Sequence, residues 1–258
     1  MSTYNYLIDP IGENQRRQNI LMQQLSSGSR IVSPWIDAAG LAVANKLDAT
    51  ISRSSVVVNN LASTNSYLQT QSGVMDTASE ILDRMGQLKA MSEGIFGDAT
   101  GAYQTEYAEL QDQLSDLGSE SFNGVPLFSD PEGTLAVMGN ESGSISFNVT
   151  QANLAEAVSD VTLEANLSDL SMDDITDATQ NVSNLQAVSG AGQSRIEASF
   201  DLMRANYNNY SSAYSTIMDV DWARATTDFA LANIRSKAGY SFFSQALTTG
   251  TTVGSLLS

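Results

Sequence analysis

The chain has 258 residues and contains neither cysteine nor histidine. The sequence therefore excludes disulfides, thiolate nucleophiles and imidazole bases, together with the cysteine and histidine sites that bind zinc. Its net charge of −17, from 12 basic and 29 acidic residues, opposes binding to nucleic acid or to anionic lipid. We accordingly expect that the chain is not an enzyme and that it has no catalytic residues, no cofactor-binding residues and no metal site. We also expect that it neither binds nucleic acid nor inserts into a membrane.

The negative charge is concentrated in the middle of the chain. Residues 76–177 contain twenty acidic residues and only two basic ones, Arg84 and Lys89, so the remaining residues are close to neutral. The middle is therefore expected to face water, whereas both ends can be covered by protein. The chain starts without a basic region followed by an apolar run, and no later stretch approaches the roughly 18 consecutive apolar residues of a membrane helix. We predict neither a cleaved signal peptide nor a membrane span.

The first predicted element is a helix that begins at Asp9-Pro10 and ends near Gly28. Asp followed by Pro is typical of a helix cap and first turn. After Pro34-Trp35, apolar residues recur at spacings built from three and four residues and predict one long helix from about residue 37 to 92. At 1.5 Å per residue this helix would be roughly 80 Å long, which exceeds the diameter of a compact domain of this size.

The middle of the chain is predicted to contain a shorter helix and two turns. An apolar stripe with heptad spacing runs along residues 103–117, and this segment should fold back antiparallel on the long helix. Asn123-Gly124 indicates a tight turn, and alternating apolar residues on either side of residues 140–143 indicate a small β-hairpin. Residues 151–172 are interpreted as an acidic connector that includes one short helix.

A second long helix is predicted from about residue 175 to 217, with a length of roughly 65 Å. It should pack along the first, since each helix presents one apolar stripe that it cannot bury alone. The residues assigned to this intramolecular seam are Leu47, Ile51, Val58, Leu68, Leu82, Leu185, Ile196 and Met203. The predicted fold class is mainly α: a long antiparallel helical coiled-coil rod built from both chain ends, with a small β-hairpin region in the middle.

The segment 222–258 carries many apolar side chains and few charges. A terminal arm of this kind needs a partner, and residues 8–25 could cover only part of it. We expect that other copies of the chain cover the rest of its apolar surface. The residues assigned to that subunit interface are Ile20, Leu21, Leu25, Phe229, Ile234, Phe242, Phe243, Leu256 and Leu257.

Six motifs, in order along the chain, resemble bacterial flagellin. They are LSSGSRI (25–31), DAAGLAVANK (37–46), FNG (122–124), GAGQSRIE (190–197), NNYSSAYSTIMDVDWA (208–223) and AGYSFFSQAL (238–247). The resemblance implies a short flagellin that lacks the variable outer domains and polymerises into the filament used for swimming motility. It implies three regions, which are an inner terminal coiled-coil domain (1–33 plus 223–258), a rod domain (34–150 plus 173–222) and the connector (151–172).

The resemblance also implies partners and a location. The expected partners are further copies of the chain in a helical homopolymer, an export chaperone at the C-terminal arm, and hook-associated proteins. The expected location is the extracellular filament of the bacterial flagellum, reached without a cleaved signal peptide. Some flagellins are sensed by a Toll-like innate receptor through the rod helices, and Arg84 and Leu88 lie where that motif falls.

Two alternatives share parts of this pattern. A hook-filament junction protein has the same two-ended helical plan but does not polymerise indefinitely. A monomeric helical adapter, which belongs to another functional class, would keep its solubility and its partner binding without residues 222–258. An enzyme would instead require a cleft with convergent Asp or Tyr side chains whose titration is strongly shifted.

Overall fold

The computed structural model of the chain describes residues 2–95, 97 and 101–256, and only the backbone within residues 2–8 and 253–256. The elements are α1 (Ser2–Ser27), α2 (Ala38–Ser92), α3 (Ala102–Leu117), β1 (Ser121–Phe122), β2 (Val125–Pro126), β3 (Gly133–Met138), β4 (Ser146–Gln151), α4 (Leu154–Ala157), α5 (Ser159–Thr162), α6 (Met172–Met218) and α7 (Trp222–Leu256). Long helices occupy both ends of the chain and two small antiparallel sheets lie between them. The predicted mainly α fold class is confirmed.

The chain divides into two compact units. Unit 1 comprises residues 1–51 and 208–258, and unit 2 comprises residues 52–207. Both long helices, α2 and α6, contribute residues to each unit. The three regions that the flagellin resemblance implies have other boundaries and remain a prediction about the assembled protein.

In unit 2, α2 and α6 pack against each other in antiparallel directions. Ser189 Oγ donates a hydrogen bond to Gln71 Oε1 (3.0 Å), and Gln186 Nε2 donates one to Asp76 Oδ1 (2.9 Å). Residue numbers therefore fall along α6 as they rise along α2. This is the partnership that the two apolar stripes predicted.

The seam between α2 and α6 has a strict heptad spacing. The buried residues that recur every seven positions are Leu61, Leu68, Met75 and Leu82 on α2, and Ile175, Val182, Ser189, Ile196 and Met203 on α6. A seven-residue repeat keeps one face of each helix directed at its partner, which is how two long helices bury a continuous stripe. The core of unit 2 is one connected cluster built on this seam.

One buried polar residue of α2 links the seam to the strands. Gln71 lies in the seam, and its Nε2 atom donates to the carbonyl oxygen of Leu127 (2.7 Å) while its Oε1 atom accepts from Ser189. One turn earlier, the Tyr67 hydroxyl donates to the carbonyl oxygen of Pro126 (2.8 Å). Because a buried polar group costs free energy unless it is paired, these bonds favour one register of the helices and the strands.

Both predicted turns are present. Asn123 and Gly124 connect β1 to β2 with φ values of 51° and 81°, as a two-residue hairpin turn requires at both central positions. The β3–β4 hairpin pairs Leu135 with Val149 and Val137 with Phe147. The alternation seen in the sequence therefore corresponds to a paired antiparallel register.

The acidic segment 151–172 packs against the helices of unit 2. It contains α4 and α5 and places several apolar side chains in the core, namely Leu154, Val158, Val161, Leu167 and Leu170. The Tyr107 hydroxyl donates to the carbonyl oxygen of Val161 (2.8 Å), and Lys89 Nζ donates to that of Leu167 (3.3 Å). The acidic side chains of the segment are thus carried on a backbone that α2 and α3 hold in place.

In unit 1, α1 and α7 also form an antiparallel pair. Asn14 Nδ2 donates to the carbonyl oxygen of Ala232 (2.7 Å), and Arg17 lies 3.8 Å from the carboxylate of Asp228. The chain segments that follow α1 and precede α7 are tied together, since the amide of Val220 donates to the carbonyl oxygen of Gly28 (3.0 Å). Both ends of the chain therefore meet in one helix pair.

The predicted start of the first helix is wrong and its predicted end is right. The helix begins at Ser2, so Pro10 lies inside it. Proline removes the backbone hydrogen bond to residue 6 and disfavours the helical conformation of Asp9, so a helix commonly begins after it, but here the helix continues through it. At the other end, Gly28 adopts a left-handed φ of 71°, the usual way for a helix to end.

Candidate subunit interface

The seam of unit 1 is built mainly from small side chains. The described α7 residues that are buried are Ala225, Ala232 and Ser236, and α1 contributes Leu21. Small residues allow two helices to approach closely, but they bury little apolar area. The α1–α7 pair therefore has a thin core.

Large apolar side chains of α7 point away from this seam. We call the exposed set on the side opposite the seam the α7 apolar face, and its members are Leu231, Ile234 and Phe242. Ile234 is 64% exposed and Phe242 is 66% exposed. Full burial of one such side chain contributes about 1.5–3 kcal/mol, so a partner that covered the face would gain substantial free energy.

The two units also differ in net charge. Unit 1 contains seven acidic and seven basic residues and has no net charge, whereas unit 2 contains 22 acidic and five basic residues and carries the whole charge of −17. Copies of unit 1 can therefore approach each other without net electrostatic repulsion. Unit 2 has the composition of a surface that stays in water.

The predicted interface residues occupy different environments in unit 1. Ile234 and Phe242 are exposed and lie on the α7 apolar face, whereas Leu21 is buried and faces the α1–α7 seam. The half-buried members are Ile20, Leu25, Phe229 and Phe243. Leu256 lies at the end of α7 where only the backbone is described, and Leu257 lies outside the described residues.

The predicted seam residues fall into both units. Leu68, Leu82, Ile196 and Met203 belong to the buried cluster of unit 2, and Val58 and Leu185 pack against that cluster. Leu47 and Ile51 are half-buried and belong to unit 1. The structure thus brings together six of the eight residues in one core.

In the proposed receptor pair, Arg84 and Leu88, only Arg84 is in contact with solvent. Arg84 is half-buried and forms an ion pair with Glu106 (2.6 Å). Leu88 has no exposed area and lies inside the core of unit 2. Its assignment as a receptor contact needs correction, because an external protein cannot reach this side chain without opening the core.

Sequence reasoning missed further exposed residues of unit 1, among them Leu231 and Trp35. Leu231 lies three residues before Ile234, so the helical spacing could have placed both on one face. Trp35 is 72% exposed in the segment between α1 and α2, and no periodic pattern marks it. In the described part of the chain, no cluster of acidic residues is arranged to hold a metal ion, and no helix is long and apolar enough to span a membrane.

A neutral helix pair with an uncovered apolar face is typical of a helical structural protein that associates with other chains. Comparison with known families gives the particular class. Residues 3–132 match the bacterial flagellin N-terminal helical region, and residues 172–257 match the bacterial flagellin C-terminal helical region. The chain belongs to the bacterial flagellin family.

Curated relatives agree over nearly the full chain. A flagellin of Halalkalibacterium halodurans is 30% identical over 246 residues, covering 92% of this chain and 90% of the relative. The flagellar filament 31.3 kDa core protein of Treponema maltophilum is 27% identical, with 92% and 91% covered, and a flagellin of Bacillus subtilis is 26% identical, with 93% and 92% covered. The chain is a structural subunit of a bacterial flagellar filament, and nothing in these comparisons favours the junction protein or the monomeric adapter.

Proposed function

We propose that the chain builds the filament by burying the α7 apolar face against neighbouring copies. The observation that carries this proposal is the exposure of large apolar side chains on a helix whose own seam buries only small ones. Burial against another copy is the arrangement that removes this area from water without a second kind of protein. The neutrality of unit 1 supports the same conclusion, because close packing of many copies then has no net charge to overcome.

The decisive experiment replaces Ile234 or Phe242 with Asp and measures the critical concentration for polymerisation, with electron microscopy of the product. We expect each change to raise the critical concentration by about a hundredfold or more, because a buried carboxylate without a partner costs several kcal/mol. The monomer should lose little stability, because both side chains are exposed in it.

Leu163→Asp is the matched control, since Leu163 is 80% exposed but lies in unit 2. It removes an apolar side chain of the same size as that of Ile234 and adds the same charge. Filament formation should be unaffected by it. Filaments from Ile234→Asp and Phe242→Asp at the wild-type concentration would contradict the proposal.

The same proposal covers the export of the chain and its other protein partners. We infer that it is exported to the extracellular filament without cleavage of a signal peptide, that an export chaperone covers the C-terminal arm until assembly, and that hook-associated proteins adjoin the filament. The role is mechanical, with no catalytic step and no cofactor. Intact-mass measurement of subunits from sheared filaments tests the export step, and a mass lacking an N-terminal peptide would contradict it.

A further inference from the structure

An open groove runs along the α1–α7 pair. Its volume is about 850 Å³, and its apolar lining includes Ile11, Ile20 and the exposed Trp35. The charged side chains at its edge are mainly basic, with Arg16, Arg17 and Arg235 against a single acidic residue, Glu13. We call this feature the basic groove.

Two of its arginines lack a carboxylate partner within the described part of the chain. Arg17 lies near Asp228, whereas neither Arg16 nor Arg235 forms an ion pair there. Guanidinium groups bind carboxylates through geometrically matched hydrogen bonds, and they stack on aromatic faces. The basic groove therefore suits a ligand that combines acidic groups with an aromatic side chain.

Unit 1 itself carries a segment with that chemistry. The residues between α6 and α7 and the first residue of α7, 219–222, present the exposed side chains of Asp219, Asp221 and Trp222, and we call them the acidic corner. Asp219 accepts a hydrogen bond from the Ser215 hydroxyl, and Asp221 accepts one from the amide of Arg224 (3.0 Å). These contacts hold both carboxylates in fixed positions at the surface.

We propose that the basic groove of one copy receives the acidic corner of a neighbouring copy. The inference rests on the proposed function, and it names which surfaces meet. Arg16 and Arg235 pair with the two carboxylates, and Trp222 packs beside Trp35. A chain cannot pair its own acidic corner with Arg235, because α7 separates Trp222 from Arg235 by roughly 20 Å along its axis at 1.5 Å per residue.

The contact has a consequence for assembly. The groove and the corner are different surfaces, so each copy offers one of each and the interaction is head to tail. A head-to-tail contact that does not close into a ring propagates as an open helical filament. The acidic surface of unit 2 is a weaker match for the groove, since unit 2 contains no tryptophan that could pack beside Trp35.

The first test removes the charges of the acidic corner. Asp219→Asn with Asp221→Asn keeps the side-chain oxygen that caps α7, because Asn is as good a helix cap as Asp. We expect the critical concentration for polymerisation to rise by about tenfold through loss of the charged hydrogen bonds. The matched control is Asp112→Asn with Asp116→Asn, which removes two exposed charges from α3 of unit 2 and should leave the critical concentration unchanged or lower it.

A double-mutant cycle then tests the pairing itself. Arg16→Gln with Arg235→Gln should also raise the critical concentration by about tenfold. If the two surfaces meet, combining all four changes should raise it by much less than the product of the two separate effects. Independent, multiplicative effects would overturn the proposal.

Covalent cross-linking gives a readout that does not depend on charge. The chain has no cysteine, so Ala223→Cys and Ala238→Cys in one chain introduce the only two thiols. Both positions are exposed, residue 223 beside the acidic corner and residue 238 beside the basic groove. The helix separates the two positions by roughly 22 Å along its axis, so a bismaleimide with a spacer of about half that length cannot join them within one chain. We expect filaments to give a ladder of covalent oligomers extending beyond dimers.

Filaments without such a ladder would overturn the proposed contact while leaving the filament function intact. Wild-type protein that forms no filaments under any assembly condition would instead overturn the proposed function. Each single-cysteine variant serves as the control, because the head-to-tail geometry allows neither of them to form a ladder.

Discussion

Unit 1 and unit 2 are built on the same motif, an antiparallel pair of long helices, but they bury different side chains in it. The seam of unit 2 repeats Leu, Met and Ile every seven residues, whereas the described part of α7 buries two alanines and a serine. One pair is therefore stable by its own packing, and the other leaves its large apolar residues for a partner. The same helical geometry can thus give a self-sufficient core or an assembly surface, depending on which face carries the large residues.

The net charges of the two units differ in a way that agrees with the difference in their cores. Unit 2 carries the whole net charge of −17, and unit 1 carries none. A filament that buries unit 1 and leaves unit 2 in water brings neutral surfaces into contact and keeps the charged ones hydrated. The division of charge therefore supports the division of roles that burial indicates.

The largest effect should come from removing the arm altogether. Deleting residues 222–258 takes away α7 and leaves α1 without its helical partner. We expect no filaments by electron microscopy after salt seeding, while the thermal unfolding transition of unit 2 stays close to that of the full chain. Filaments from the shortened protein would show that the two units do not differ in the way described.

A core substitution in unit 2 should have the converse effect. Leu82→Ala removes a fully buried seam residue and should lower the free energy of unfolding by about 2–5 kcal/mol, measured by urea denaturation. Val56→Ala on the exposed side of the same helix is the control and should change it by less than about 0.5 kcal/mol. Equal effects of the two changes would contradict the assignment of the seam.

The polar contact in the seam should have a smaller effect. Ser189→Ala leaves the buried Gln71 oxygen without its donor and should cost about 1–3 kcal/mol of unfolding free energy. Ser194→Ala, on the exposed side of α6, should cost less than about 0.5 kcal/mol. If both serines proved equally dispensable, the seam would not depend on this hydrogen bond.

The smallest effect concerns alkaline pH. Burial, followed by the charges of Glu164 and Asp174, raises the pKa of Tyr107 from 10.0 to about 12. The folded state then holds a proton that the unfolded state has lost, so unit 2 keeps this stability below pH 10 and loses it as the pH rises toward 12. Tyr107→Phe should flatten the decline of the urea midpoint in this window but leave the profile below it parallel to wild type. An unchanged slope would contradict the predicted titration.

Local patterns in the sequence predicted most of the helices and turns. The heptad stripes set α2, α3 and α6 to within a few residues, and Asn123-Gly124 identified the first hairpin turn, because both signals depend on neighbours along the chain. The start of α1 was predicted wrongly from the proline, since an internal proline usually interrupts a helix and here the helix continues through it.

Features that depend on contacts between distant segments could not be predicted from the sequence. The apolar residues of 151–172 lack a regular spacing, so nothing indicated that Leu154, Val161 and Leu170 would be buried against α2 and α3. The apolar character of a residue also does not show whether it is buried, so the sequence could not predict that Leu21 and Leu88 are buried while Ile234 is exposed. The basic groove exists only because the α1–α7 pairing brings Arg16 and Arg235 to one place.

Hydrogen exchange, followed by mass spectrometry on the monomer and on the filament, tests the central claim most directly. If neighbouring copies supply the burial that unit 1 lacks, amides of α1 and α7 should exchange rapidly in the monomer and slowly in the filament, whereas the seam of α2 and α6 in unit 2 should be protected in both. Equal protection of α7 in monomer and filament would contradict the account.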